Sequence, residues 1–399
     1  MLPTRLLVIE EPPAPPRAPR FALWELGFRP FYLLASGFAA LSIALWALQL
    51  SGLLSQAYLA GPLWHAHEML FGFALAVIVG FLFTAGRNWT NQPTPTGWPL
   101  ALLALLWLAA RVLVLTPWAW AAAAANVAFP LAAAAGLAVP FWRARNRRNY
   151  FFVGLLLLLA AACAFVHAAQ LGLLQAPAWA GLQLALDVVL FIVSVMAGRV
   201  VPMFTNNGVP GLQATRKPWI EKAALGGVLA LLLADLAGLR GAPLALLAAA
   251  VAAAHAARWW LWQPLRTLSA PLVWVLQAAY LWVPVHLALR GASALQWVPA
   301  SVATHALTVG AIGGLIIGMM TRTARGHTAR PLRADRFDVA CYALVLLAAL
   351  VRVLPVLFDA GLTLRAAQAS ALLWSAGFGL FAWRYFPVLT RARLDGKPG

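Results

Sequence analysis

Charge is what this chain has least of. Only 10% of its 399 residues are Asp, Glu, Lys or Arg, and just 11 are acidic, whereas a soluble domain averages roughly 25% charged and 45–50% apolar residues. With 63% hydrophobic residues and a mean hydropathy of +0.81, an ordinary soluble fold is excluded and a polytopic membrane protein is expected. Cysteine is nearly absent. Cys163 and Cys341 each fall inside an apolar run, which excludes a disulfide framework. The opening residues also lack the basic, then apolar, then small-residue order of a signal peptide. Acids and the Pro-rich stretch Pro12 to Pro19 stand there instead, so no cleaved leader is expected.

Long apolar runs are plentiful. They lie at about 31–51, 64–85, 97–116, 118–142, 150–173, 178–202, 218–238, 242–262, 268–289, 297–321, 336–358 and 363–388. Roughly twenty residues cross the hydrocarbon core. The expected fold is therefore all-α, with about twelve transmembrane helices in residues 21–390, between a Pro-rich tail (1–20) and a short C-terminal tail (391–399). The net charge of +18 would suggest nucleic acid if it were spread evenly. It is not: of the 29 basic residues, only Arg240, Arg290 and Arg365 fall on one side of this topology, while Arg111 and Arg352 lie within spans. The rest collect on the side of both termini, which marks that side as cytoplasmic. No nucleic-acid partner is needed to explain the charge.

Trp64-His65-Ala66-His67-Glu68-Met69 opens the second span. Helix positions two apart point about 200° away from each other, so His65 and His67 cannot easily chelate one metal. They can serve two centres, or simply cap the span at headgroup level. In this topology His65, His67, His167, His286 and His305 share the outer third of the membrane, whereas His255 and His327 fall on the cytoplasmic side. Imidazole is the commonest ligand for haem iron and copper, and five rings at one depth point to such a site. Arg111 and Arg352, in outer halves of their helices, can pair haem propionates or snorkel to the surface. Glu68 and Asp187 lie on the same side and need partners or a proton-carrying role. Cys163, one turn from His167, offers a soft copper ligand, or is a small core thiol.

His67 is followed by Gly72, Gly80 and Arg87 at the offsets at which His305 is followed by Gly310, Gly318 and Arg325. The match suggests internal repetition, with helices 2 and 10 equivalent in a threefold set of parallel four-helix units. Gly310, Gly314 and Gly318 form a small-residue stripe that admits a close helix neighbour. Near the cytoplasmic end of helix 6, Pro202 is expected to stop the helix, with Asn206, Asn207 and Gly208 as a turn. The segment Thr321 to Arg336 reads as a positive-inside loop.

Gly27-Phe28-Arg29-Pro30-Phe31, the His65/His67 stretch, Asn88-Trp89-Thr90, Gly198-Arg199-Val200-Val201-Pro202-Met203-Phe204-Thr205-Asn206-Asn207, His305-Ala306-Leu307-Thr308-Val309-Gly310 and Gly318-Met319-Met320-Thr321-Arg322 through His327 together resemble the NnrS family. The resemblance covers nearly the whole chain. It implies a bacterial inner-membrane protein that contains haem, expected as b-type, and copper, and that handles nitric oxide in denitrification and nitrosative stress. It leaves open whether the family catalyses that chemistry. The helix layout is also similar to that of haem-copper oxidases and nitric oxide reductases, with one departure: helices 6 and 7 contain no histidine, so their three-His copper site is absent.

The expected sites follow. His67 and His305, alike in depth and in their trailing glycines, are expected as axial ligands of one haem. His65, His167 and His286 are expected to hold copper or a second iron. Glu68 is expected to orient a ligand ring or carry protons. The expected partners are nitric oxide, an electron donor outside the chain, and membrane lipid. The alternative is a twelve-helix secondary transporter, or a protein that handles metal or haem without redox chemistry.

Overall fold

The structure, a computed structural model, describes residues 20–397, so the proposed tail over 1–20 lies outside the described residues apart from Arg20. Counting each continuous helical run once, the described residues form twelve helices. These are α1 (Phe28–Leu50), α2 (Gly61–Thr90), α3 (Trp98–Leu113), α4 (Ala119–Arg143), α5 (Phe151–Gln170), α6 (Ala178–Gly208), α7 (Pro218–Leu236), α8 (Gly241–Leu261), α9 (Pro271–Ala294), α10 (Ala300–His327), α11 (Arg336–Phe358) and α12 (Thr363–Thr390). Pro62, Pro99, Pro218 and Pro271 open four of them, where the missing N–H has no intrahelical partner to lose. Asn91 closes α2 in the left-handed conformation at φ 51°, as a helix C-terminus favours.

Among the described residues nine helices are long and apolar enough to cross a bilayer, and the chain is an all-α polytopic membrane protein. The other three depart for visible reasons. α3 has only 16 residues, about 24 Å of helix against roughly 30 Å of hydrocarbon. α7 carries Glu221, Lys222 and Asp235, and α12 mixes Arg365, Gln368, Ser370, Ser375 and Arg384 into its length.

Two expected boundaries are corrected. α6 does not stop at Pro202 but runs on to Gly208. A proline removes one hydrogen bond, and packed neighbours in a membrane bundle can absorb that loss. The Asn206 side chain then accepts from Ala214 N at 2.6 Å, fastening the following segment to the helix end. Likewise α10 continues through the supposed loop to His327.

Helices adjacent in sequence pack as neighbours, and α12 returns onto α1, closing the bundle. Gly310, Gly314 and Gly318 of α10 face Trp282, Ala279 and Leu276 of α9, so the stripe meets one partner helix as its spacing requires. Between α2, α6 and α10 lies an apolar cavity of about 90 Å³, lined by Val77, Ile192, Met196, Ile312 and Met319 among others. Helices 2 and 10 share a further feature: each turns π-helical directly after its histidine, over Glu68–Ala74 and Ala306–Gly313. π segments inside α-helices are frequent at functional sites.

At the end bearing His327 the first and last described segments meet. Ala22 N donates to Thr390 O at 2.8 Å, Ala392 N to Arg20 O at 3.1 Å and Leu394 N to Thr328 O at 3.3 Å, so residues 391–394 lie against the bundle. Deeper in, Arg258 of α8 grips Glu221 of α7 with two bonds (2.8 and 2.5 Å) and also donates to Ser194 O and the Tyr280 hydroxyl. His255 completes this cluster through Tyr280 and Ala224 O.

Asp335 caps α11, accepting from Phe337 N and Asp338 N, while the Asp338 carboxylate accepts from Asp335 N. Partial burial works to raise the Asp335 pKa, but the Asp338 N–H, Arg384 and Arg325 outweigh it and hold the carboxyl below its ordinary value. A depressed folded-state pKa stabilises above the unfolded value and is lost as pH falls through the folded one. Asp335→Ala should therefore cost about 1 kcal/mol at neutral pH. The difference in thermal midpoint from the parent should shrink as the pH drops below about 4.

Candidate metal centre

α2 starts with Gly61 at φ 59° and Pro62, and His65 and His67 both fall in its regular first stretch, just before the π turn. Their rings accordingly part company. His65 lies against α1, stacked on Trp46 with centroids 4.5 Å apart. His67 is fully buried and faces α5.

On α5, Cys163 and His167 are one turn apart and both buried. The ligand atoms of His67, Cys163 and His167 all lie within 4.8 Å of one another. His67 Nδ1 donates to Glu68 Oε1 at 2.8 Å, because a carboxylate can only accept. That fixes the tautomer and leaves the Nε2 lone pair directed at Cys163 Sγ, 3.9 Å away. His167 Nδ1 lies 3.3 Å from the Tyr58 hydroxyl, and its Nε2 is buried without a partner. Two imidazole nitrogens and a thiol thus converge in an apolar setting, and a ligating histidine held by a carboxylate is the usual support of a metal site.

Glu68 is itself secured. Arg111 Nη1 donates to the same Oε1 at 2.8 Å, and Arg111 Nη2 to Asn126 Oδ1. Gly72, in the π turn, leaves room for that guanidinium, and its carbonyl accepts from Trp107 Nε1 at 2.9 Å. Glu68→Gln keeps an acceptor for His67 but leaves Arg111 without its counter-charge. We expect metal affinity, measured by chelator competition, to fall roughly ten- to a hundredfold.

The structure groups the expected ligands differently from the sequence. His67 is turned toward His167 and Cys163, while the group acting electrostatically on His305 from α2 is His65. Helix geometry requires such a split, since only one of two residues two apart can face α5. His305 Nδ1 donates to Ser301 O at 2.6 Å, so its Nε2 carries the lone pair. Arg352 is within electrostatic reach of both His65 and His305, and its Nη1 is buried with no partner, as is His65 Nδ1. Arg111, by contrast, is engaged by Glu68 and Asn126. His286 stands apart from His65 and His167, donating through Nδ1 to Ala303 O at 2.7 Å. Asp187 pairs with Arg290 at 3.1 Å and Gln183 at 3.1 Å, in a cluster shared with Asp235.

Sequence reasoning passed over Tyr58 and Asn126. Asn126 had a signal, a lone amide in an alanine-rich run. Tyr58 sits in the loop before α2, where nothing in the local pattern distinguishes it.

Fold and site together define a polytopic membrane protein with a buried His–Cys–His ligand set able to hold a metal ion. The NnrS protein family matches residues 22–393, nearly the whole described chain. The protein belongs to that family, which places it among membrane proteins of the nitric-oxide response. No curated protein matches the chain.

Proposed function

We propose that this protein binds copper on His67, Cys163 and His167 and a haem between His65 and His305, and that it uses them to bind or reduce nitric oxide in the bacterial inner membrane. The observation that carries the reading is the convergence of His67 Nε2, Cys163 Sγ and the unpartnered His167 Nε2 in a buried site. A thiolate with two imidazoles suits copper, because soft sulfur and imidazole ligands together favour it. For haem, the fit rests on the unpartnered Nδ1 of His65, the Nε2 lone pair of His305 left by the Nδ1 bond to Ser301 O, and the unpartnered Nη1 of Arg352, which is suited to a propionate. When bound, the two metals supply redox equivalents and a coordination position for a diatomic ligand.

The chain's own residues do the rest. Glu68 and Arg111 hold the His67 ring in one tautomer. Glu68 Oε2, buried without a partner, is the atom beside the ligand set that can take up and release a proton. The basic residues that collect with both termini support a periplasmic position for the His65 end of α2, and in this reading electrons come from a donor outside the chain. The test is metal analysis and the visible spectrum of the purified protein with and without nitric oxide. Co-purifying copper and iron, with a Soret band that nitric oxide shifts, is the expected result. A colourless protein lacking both metals would overturn the reading.

A further inference from the structure

At the end of the bundle opposite the ligand set, arginines outnumber the acids available to them. Arg325 of α10 donates to Asp335 Oδ2 at 2.8 Å and Asp338 Oδ2 at 2.5 Å. Arg384 of α12 shares that Asp335 oxygen at 3.1 Å. The Tyr385 hydroxyl is also committed, donating to Asp338 Oδ1 at 2.8 Å. Two carboxylates therefore already serve two guanidinium groups, and a third, Arg330, stands beside them. Other acids at this end are taken: Asp395 by Arg393 and Glu25 by Arg20. Arg330 Nη1 and Arg384 Nε are both buried with no hydrogen-bond partner. Burial, and then the charge of Arg325, pushes the Arg330 guanidinium below its ordinary pKa, as expected of a cation short of an anion.

The unsatisfied donors border a cavity of about 40 Å³ lined by Arg325, Arg330, Arg384, Tyr385 and Val388. A cavity needs about 10–15 Å³ to admit one water, so this one holds about three water-sized atoms, room for the oxygens that a tetrahedral anion turns toward the donors. Buried donors without acceptors cost free energy, and guanidinium groups match phosphate geometry. We propose that this cavity is a binding site for a phosphate group, with Arg330 Nη1 and Arg384 Nε as its donors and Val388 as its apolar wall. Trp383 and Phe386, which flank the site on α12, are 67% and 56% exposed and suit headgroup depth. A phospholipid headgroup and dissolved inorganic phosphate both present the required chemistry.

Full-length protein in an uncharged detergent is titrated with inorganic phosphate while thermal stability is followed. In parallel, protein extracted from phosphatidylglycerol vesicles is examined by native mass spectrometry for retained lipid. The wild type should respond in at least one arm: a saturable phosphate-dependent shift identifies free phosphate as the source, retained phosphatidylglycerol the headgroup. Arg330→Gln and Val388→Phe should weaken that response by about tenfold or more. Arg333→Gln, an exposed arginine of the same loop, should not. Val388→Phe fills the cavity and keeps every charge, so it carries the test alone if Arg330→Gln does not fold. No response from the wild type in either arm, or undiminished binding by Val388→Phe, would sink the proposal.

Discussion

Protein carrying Cys163→Ser should purify without copper and with its haem retained. Serine nearly preserves the volume of a residue buried against α2, so the bundle has little reason to rearrange. What is lost is the one soft ligand of the set. An outer partner of a metal ligand is typically worth ten- to a hundredfold in affinity, and removing a ligand itself should exceed a hundredfold. His167→Ala should act the same way, whereas His286→Ala, whose ring is tied to Ala303 O, should keep full copper. His65→Ala should show the converse pattern, with copper retained and the haem spectrum lost or shifted. Metal content and visible absorption of the four purified variants read these outcomes side by side. Full copper in both Cys163→Ser and His167→Ala would remove the ligand assignment.

The second large effect is on stability. Gly198 lies inside α6, where alanine would ordinarily stabilise a helix by up to about 1 kcal/mol. Here the sign should reverse. A Cβ at this position would fall within the Arg258 guanidinium and 3.0 Å from Glu221 Oε2, so Arg258 must leave its bidentate pair and its bonds to Ser194 O and Tyr280. Breaking a buried ion pair this way costs about 3–5 kcal/mol, because the charge left behind stays desolvated. Gly198→Ala should show a clearly lowered thermal midpoint in detergent. Gly226→Ala on α7, where a Cβ meets nothing within 4 Å, should be neutral or stabilising. Equal midpoints for the two variants would contradict the role given to the Arg258 cluster.

These outcomes rest on features that differ in how far the sequence revealed them. The helices were legible because membrane spans need long apolar runs, and nothing else in a chain with so few charges competes with that signal. The glycine stripe of α10 was legible too, since its spacing alone assigns it to one face. Pro202 misled because its local effect, one lost hydrogen bond, was weighed without the neighbours that absorb it. The candidate site was only partly legible. Depth along each span collected five histidines, and the two-residue spacing separated His65 from His67. Depth carries no azimuth, however, so the sequence could not say which ring faces α5. Nor could it show that Glu68 and Arg111 would meet across 43 positions of chain. The small Cys163 thiol gave no reason to prefer a ligand over a core residue until two imidazoles were seen beside it.

The paired π turns put length as well as chemistry in control of the site. A π segment accommodates more backbone than an α-helix of the same height, so it offsets the rotational phase of everything on one side of it from the other. In α2 that offset falls between His67 and the cavity-lining Val77, and in α10 between His305 and Met319. Excising a single residue such as Leu70 would let α2 return to regular winding with both halves near their present faces, because the turn holds about one residue more than an α-helix of that height. The same excision in the regular stretch beyond the turn, at Val79 for example, would swing the histidine end by about 100° relative to the packed lower half. No ligand would have been mutated, yet His67 would no longer face Cys163 and His167. The aim of the metal ligands is thus encoded in a residue count, and single-residue deletions inside and beyond the turn are its direct readout.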